Sequence, residues 1–193
     1  MMYLIVESEE VIRIPPNKIG EKYEETAKIE AIKKMESRVG ILDRSLVRDS
    51  NDRKYIVLMV LDASLNGEGY LVHGDGGVYQ PVKVKALAYQ PNLQEVVEGE
   101  VTDITKIGAF VRIGPVEALL HISQIMDDRL DIDLENKKLI GRETKRDLKV
   151  GDVIRARIVS ISIADSISKG VKIGLTLRQN FLGKLSWLKG ENQ

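Results

Sequence analysis

Apolar residues recur every fourth position at Ile19, Tyr23, Ala27, Ala31 and Met35, with Lys and Glu between them. That spacing predicts an amphipathic helix over Ile19 to Ser37 whose stripe lies on a sheet. Upstream, Tyr3 to Val6 and Val11 to Ile14 are apolar and end at Pro15-Pro16, which cannot continue a ladder, so an extended segment and a break are expected there. Asp49 to Lys54 is polar and turn-rich. Tyr55 to Leu61 then has the unbroken apolar, β-branched character of a central strand covered on both faces. A further strand is expected at Tyr70 to His73, a tight turn at Gly74-Asp75-Gly76-Gly77, and a returning strand from Val78 to Tyr89.

After Pro91 the grammar changes. Helical periodicity gives way to short alternating strands. Ile107, Ala109, Val111 and Ile113 share one face of a strand, with Gly108, Phe110 and Arg112 on the other. Ile154, Ala156 and Ile158 are likewise expected inward with Arg155 and Arg157 outward, and Val171, Ile173, Leu175 and Leu177 inward with Lys172, Thr176 and Arg178 outward. With Val97 to Ile104 and Ala118 to His121, five short strands suit a small closed barrel, and Met126 to Asp147 becomes a long insertion between its third and fourth strands. The predicted class is α+β: a small α+β sheet domain over residues 1–91 with a tip at 74–77, then a five-stranded OB barrel over 92–193 carrying the insertion 126–147.

Composition narrows the chemistry. The chain has 193 residues, 43% hydrophobic and 30% charged, as ordinary folded proteins do. It has no cysteine and only His73 and His121, so disulfides, thiolate sites and a His-based metal cluster are not expected, nor any cofactor. The apolar run Tyr55 to Leu61 is far shorter than the roughly 20 residues of a membrane span, and MMYLIVESEE lacks a basic leader region. A cytoplasmic protein without membrane contact is expected. Net charge is zero, yet Lys137 to Arg157 holds eight basic residues against three acidic, just after an acidic block at Asp127, Asp128, Asp131, Asp133 and Glu135. Both runs are equally compatible with a solvated loop.

No active site is expected. No Ser occupies a Gly-x-Ser-x-Gly turn, Gly74 to Gly77 lacks the Gly-Lys-Ser/Thr ending of a phosphate loop, and Asp127-Asp128 reads as a solvated pair before a Mg²⁺ site. Phe110 is the residue of interest, since the alternation puts its ring on the barrel face beside Arg112, with His121 on the neighbouring strand. Aromatic rings on that face of OB folds stack on bases. The candidate RNA-binding set is Lys106, Phe110, Arg112, His121, Arg157, Lys172 and Arg178. Phe110 packing beneath the insertion, and outward cations that serve solubility alone, are the alternatives.

Gly99-x-Val101-x-x-Ile104-x-x-Ile107-Gly108-Ala109-Phe110-Val111-x-Ile113, followed by Leu119-Leu120-His121-x-Ser123-x-Ile125, resembles the RNA-binding OB domain first described in the first protein of the small ribosomal subunit. Leu148-x-x-Gly151-Asp152-x-Ile154-x-Ala156-Arg157-Ile158 and Lys172-Ile173-x-Leu175-Thr176-x-Arg178 continue that resemblance. Ile107 stands where the family usually has an aromatic, and Ala118 where it has glycine; the first implies weaker RNA binding through the loss of one stacking platform. Across Tyr3 to Trp187 the chain looks like the archaeal RNA polymerase stalk subunits called E-prime, counterparts of the seventh subunit of eukaryotic RNA polymerase II. The marks are Val11-x-Arg13-Ile14-Pro15-Pro16, Gly74-Asp75-Gly76, Pro91-x-Leu93-Gln94-Glu95-Val96-Val97-Glu98-Gly99-Glu100-Val101, Ser123-Gln124-Ile125-Met126-Asp127-Asp128 and Gly183-Lys184-Leu185-x-Trp187.

That resemblance implies a non-catalytic subunit that forms a heterodimer with a helical partner. It also implies docking on the polymerase core near the clamp through Gly74, Asp75, Gly76 and Gly77, and binding of single-stranded nascent RNA through Phe110, Arg112 and His121. A free-standing RNA-binding adaptor for translation or RNA decay is the alternative.

Overall fold

The computed structural model describes residues 2–20, 22–36, 39–41, 54–163 and 171–189. Ser37 and the polar turn at Asp49 to Arg53 lie outside them. The chain divides into two compact units, one from Met2 to Gln90 and one starting at Pro91.

The first unit contains β1 (Met2–Ile14), a 3-10 turn (Pro16–Lys18), α1 (Tyr23–Met35), β2 (Val39–Ile41), β3 (Lys54–Leu65), β4 (Tyr70–Leu71) and β5 (Val78–Gln90). The antiparallel sheet runs β1-β5-β3-β2, and β4 pairs with the start of β5. α1 buries Ala27, Ala31 and Met35 in a cluster with Ile12, Ile14, Val57, Val82, Val84 and Ala86. Alanines one turn apart let helix and sheet approach closely. The expected helix is shorter at its start, because the 3-10 turn after Pro15 delays it to Tyr23 and leaves Ile19 exposed. Tyr23 is half-buried and its hydroxyl donates to Gln80 Oε1 at 2.9 Å.

The doubly covered strand that the apolar run predicts holds only for the first part of β3, where Tyr55, Ile56 and Val57 are all buried. Register shifts against β5 between Val57 and Met59, and again between Val60 and Asp62, insert extra residues. Each bulge reverses the alternation, so Tyr55, Val57 and Ala63 are buried while Met59 and Leu61 are exposed. The helix covers one face only. β1 is one continuous strand rather than two apolar pieces, since Glu7, Ser8, Glu9 and Glu10 keep the pairing with β5.

The second unit contains β6 (Val96–Thr105), β7 (Gly108–Ile113), β8 (Val116–His121), a 3-10 turn (Ile122–Gln124), β9 (Leu130–Asp133), β10 (Lys138–Gly141), β11 (Asp147–Lys149), β12 (Val153–Ile163), β13 (Val171–Thr176), β14 (Gly183–Lys184) and α2 (Leu185–Lys189). Pairings β12-β6-β7-β8-β13, closed by β13 against β12, make a five-stranded barrel in which β8 and β13 run parallel. β6 carries a bulge between Val101 and Asp103, which explains why Val97 and Val101 are followed inward by Ile104. The insertion is itself a three-stranded antiparallel sheet, β9-β10-β11, and Leu139 and Leu148 are fully buried within the barrel's core cluster.

Two side chains depart from the expected alternation. Ile107 is not inward but 52% exposed: the strand begins only at Gly108, whose φ of +145° redirects the chain. Thr176 is not outward but 4% exposed, and its hydroxyl donates to Gln124 Oε1 at 2.8 Å. The second change arises because the 3-10 turn folds over the end of β13, where Leu177 N–H donates to Gln124 O at 2.8 Å.

Candidate nucleic-acid interface

Phe110 is half-buried at the middle of β7, directly across from Asp103 on β6 and Leu119 on β8. His121 ends β8 opposite Gly108, two residues along from Leu119 and on the same face. A side chain on Gly108 would run into the carbonyl of Leu120, so this crossing demands glycine on space as well as on φ. The imidazole Nδ1 of His121 accepts the N–H of Ser123 at 3.2 Å and lies 2.8 Å from Ser123 Oγ. Acceptance at Nδ1 leaves Nε2 to carry the proton of the neutral ring, so the free edge of His121 is a donor. Arg178 joins the same corner: its guanidinium donates to Ser123 O at 3.3 Å and to Asp127 Oδ1 at 2.6 Å. Ile122 N–H donates to Ile107 O, which brings the β6–β7 turn with exposed Lys106 and Ile107 to this end of the barrel as well.

Phe110, His121, Arg178 and Lys106 therefore cluster around the 3-10 turn. Arg112, Arg157 and Lys172 do not. Arg112 lies toward the other end of β7 and donates to Glu100 at 2.9 Å, with Glu117 across from it on β8. Its charge is thus balanced by carboxylates, which pairwise alternation could not reveal. Lys172 is exposed on β13, and Arg157 is half-buried on β12 with its Nε lacking a partner. Asp103 is held below the usual carboxylate range by Lys137 Nζ, which reaches across from the insertion at 2.7 Å.

Asp127 and Asp128 do not converge. The first pairs with Arg178; the second accepts the N–H of Thr144 at 2.9 Å, the Thr144 hydroxyl at 2.8 Å and the N–H of Glu143 at 3.1 Å, bonds that hold its carboxyl below its ordinary range. Asp128 thus organises the β10–β11 connection. Among the described residues no group of three or more His, Asp or Glu is placed to hold a metal ion, and no helix is long and apolar enough to cross a membrane.

At the other unit's tip, Asp75 N–H donates to Val72 O at 3.0 Å, closing a turn in which Gly74 has a φ of +84°. Asp75 then accepts Arg13 Nε at 2.7 Å, the Tyr79 hydroxyl at 2.8 Å and Gly77 N–H at 3.0 Å. These bonds, led by Arg13, hold its carboxyl well below the usual range. Tyr70 stacks on Tyr79 with centroids 5.8 Å apart, and Tyr70, Leu71 and Val72 are exposed beside the pinned loop.

A model of the S1 RNA binding domain matches residues 90–171. DNA-directed RNA polymerase subunit Rpo7 of Saccharolobus shibatae is 37% identical over 188 residues, 97% of this chain and 97% of that protein. Rpo7 of Sulfolobus acidocaldarius is 36% identical over 98% of this chain and 97% of its own length. The chain belongs to the Rpo7 family of DNA-directed RNA polymerase subunits. Rpo7 is a non-catalytic subunit of DNA-directed RNA polymerase. Among solved structures, Mycoplasma genitalium RNase R in complex with ribose-methylated single-stranded RNA aligns at 28% identity and a TM-score of 0.37, over 43% of this chain and 13% of that one. The resemblance read from the sequence and the Rpo7 match thus agree on the family, and the S1 domain within it carries the barrel face built around Phe110 and His121.

Proposed function

We propose that this chain is the RNA-contacting subunit of a polymerase stalk: it pairs with a helical partner subunit, docks on the polymerase core near the clamp, and binds nascent single-stranded RNA in the cytoplasm. The observation that carries the reading is similarity to Rpo7 along nearly the whole chain, joined to a closed S1 barrel with Phe110 and His121 on one face. In this reading Phe110 stacks on a base, His121 donates from Nε2 and Lys106 faces a phosphate, while Arg178, paired with Asp127, orders the corner through Ser123 O. Arg157 and Lys172 contribute field rather than direct contact, and Arg112 is balanced by Glu100. The tip 74–77 is the core-docking element, stiffened by Asp75 so that Leu71 and Val72 are presented in one conformation.

Phe110→Ala is expected to weaken single-stranded RNA binding by about 1–3 kcal/mol, read by fluorescence anisotropy. A collapsed melting temperature with unchanged affinity per folded molecule assigns the ring to the core instead. Size-exclusion chromatography with the helical partner tests the stalk assignment, which fails if the two never co-elute.

A further inference from the structure

Phe181 is 76% exposed, more than any other large apolar side chain among the described residues. Its backbone also has a φ of +66°, a left-handed conformation that glycine adopts freely and an aromatic residue does not. Exposure and backbone strain at one residue point to a use for the ring.

The backbone on either side of the ring is tied down. Leu177 N–H is tied to Gln124 O at 2.8 Å, Gln179 N–H to Leu177 O at 2.9 Å, and Leu182 N–H to Gln179 O at 3.2 Å. Gly183 follows with a φ of +144° and seats against the ring of Trp187. The loop is anchored at its start by Arg178, whose guanidinium touches Ser123 O, and Ser123 is the residue bonded to His121 Nδ1. Three residues of extended chain span about 10 Å at most, so Phe181 lies within that reach of the Arg178 backbone beside the His121 corner.

Its chain neighbours decide the kind of ligand. Arg178, Gln179 and Asn180 are all exposed and polar, so the chain leading to Phe181 offers hydrogen-bonding groups. A protein interface needs a contiguous apolar patch, whereas one flat ring beside exposed hydrogen-bonding side chains suits a nucleobase. We propose that Phe181 is a base-stacking residue that extends the Phe110–His121 face along a single-stranded RNA, supplying an aromatic platform on a barrel whose β6–β7 turn presents Ile107. The proposal rests on the reading of that face as an RNA site.

The test uses the full chain and fluorescein-labelled oligouridine, comparing wild type with Phe181→Gly, Phe181→Tyr and Phe110→Ala. Glycine suits the observed φ, so Phe181→Gly should melt no lower than wild type while binding about fivefold to 150-fold more weakly. Phe181→Tyr should retain wild-type affinity. Unchanged affinity in Phe181→Gly, with Phe110→Ala weakened, overturns the proposal and leaves the RNA face standing. Absence of binding by wild type overturns the RNA face itself. Intact RNA affinity in Phe181→Gly with weakened association to other polymerase subunits also overturns the proposal, and assigns the ring to a protein contact.

Discussion

Both units are built on antiparallel pairing, but the barrel returns on itself through β12 and β13, whereas the described path of the other sheet runs from β1 to β2 without closing. Closure gives every barrel strand two neighbours and an enclosed interior, in which Ile113, Leu120, Leu139, Leu148, Ile154 and Ile158 reach zero exposure. The open sheet has α1 on one face, while Tyr3, Ile5, Met59 and Leu61 on its strands remain exposed. Its outermost strand is protected locally: Lys34 Nζ donates to Val11 O at 2.7 Å, and Lys83 and Lys85 form ion pairs with Glu7. The closed barrel thus gathers its large aliphatic side chains into one enclosed interior, whereas the open sheet buries its apolar set against a helix and leaves Tyr3, Ile5, Met59 and Leu61 accessible.

The sharpest way to break this comparison is to truncate one residue from each class. Leu139→Ala should cost about 2–5 kcal/mol in urea denaturation, because its insertion strand contributes to the closed core. Met59→Ala, on an exposed position of the open sheet, should fall within about 0.5 kcal/mol of wild type. Equal losses from the two variants remove the distinction.

A smaller cost is expected where the barrel turns a corner. Gly108→Ala places a methyl against Leu120 O at a positive φ and should destabilise by about 1–3 kcal/mol. The tip should respond to pH. Asp75 has a depressed folded pKa, so its contribution is present above the unfolded value near 4 and is lost as pH falls from there toward the folded value. Wild type should therefore lose thermal stability on acidification more steeply than Asp75→Asn; parallel profiles would show that the Arg13–Asp75 pair is not felt by the fold. A small effect is also expected of Arg112→Gln, which breaks an exposed pair with Glu100 and should change stability by no more than about 1 kcal/mol, less at high salt.

Much of the fold was legible because period carries it. Alternation placed Ala109, Val111, Ile113, Ile154, Ala156 and Ile158 inward, and a four-residue stripe placed Ala27, Ala31 and Met35 against the sheet. The misplacements in β3 and at Ile107 share a cause, while Thr176 is buried by the 3-10 turn that folds over the end of β13. A bulge or a left-handed residue shifts the phase by one position, and nothing in composition announces the bulges of β3 or the turn that exposes Ile107. Phe181 lies past the last alternating strand, where periodicity carries no information about exposure. The charged insertion was opaque too, since Asp131 with Arg142, Asp103 with Lys137 and Asp128 with Thr144 pair across long sequence separations.

The sequence by itself determined the α+β class, the barrel's inward set apart from Ile107 and Thr176, the absence of cysteine chemistry and, through the order of its motifs, the family. These depend on residue type and short-range spacing, which the backbone geometry of helix and strand converts directly into faces. Only the tertiary structure decided which outward cations are already neutralised, that His121 spends Nδ1 on Ser123 and keeps Nε2 free, and that Asp127 and Asp128 serve different partners. Charge balance and hydrogen-bond direction depend on which groups meet across the fold, and pairings such as Arg178 with Asp127, 51 residues apart, exist only once the barrel has closed.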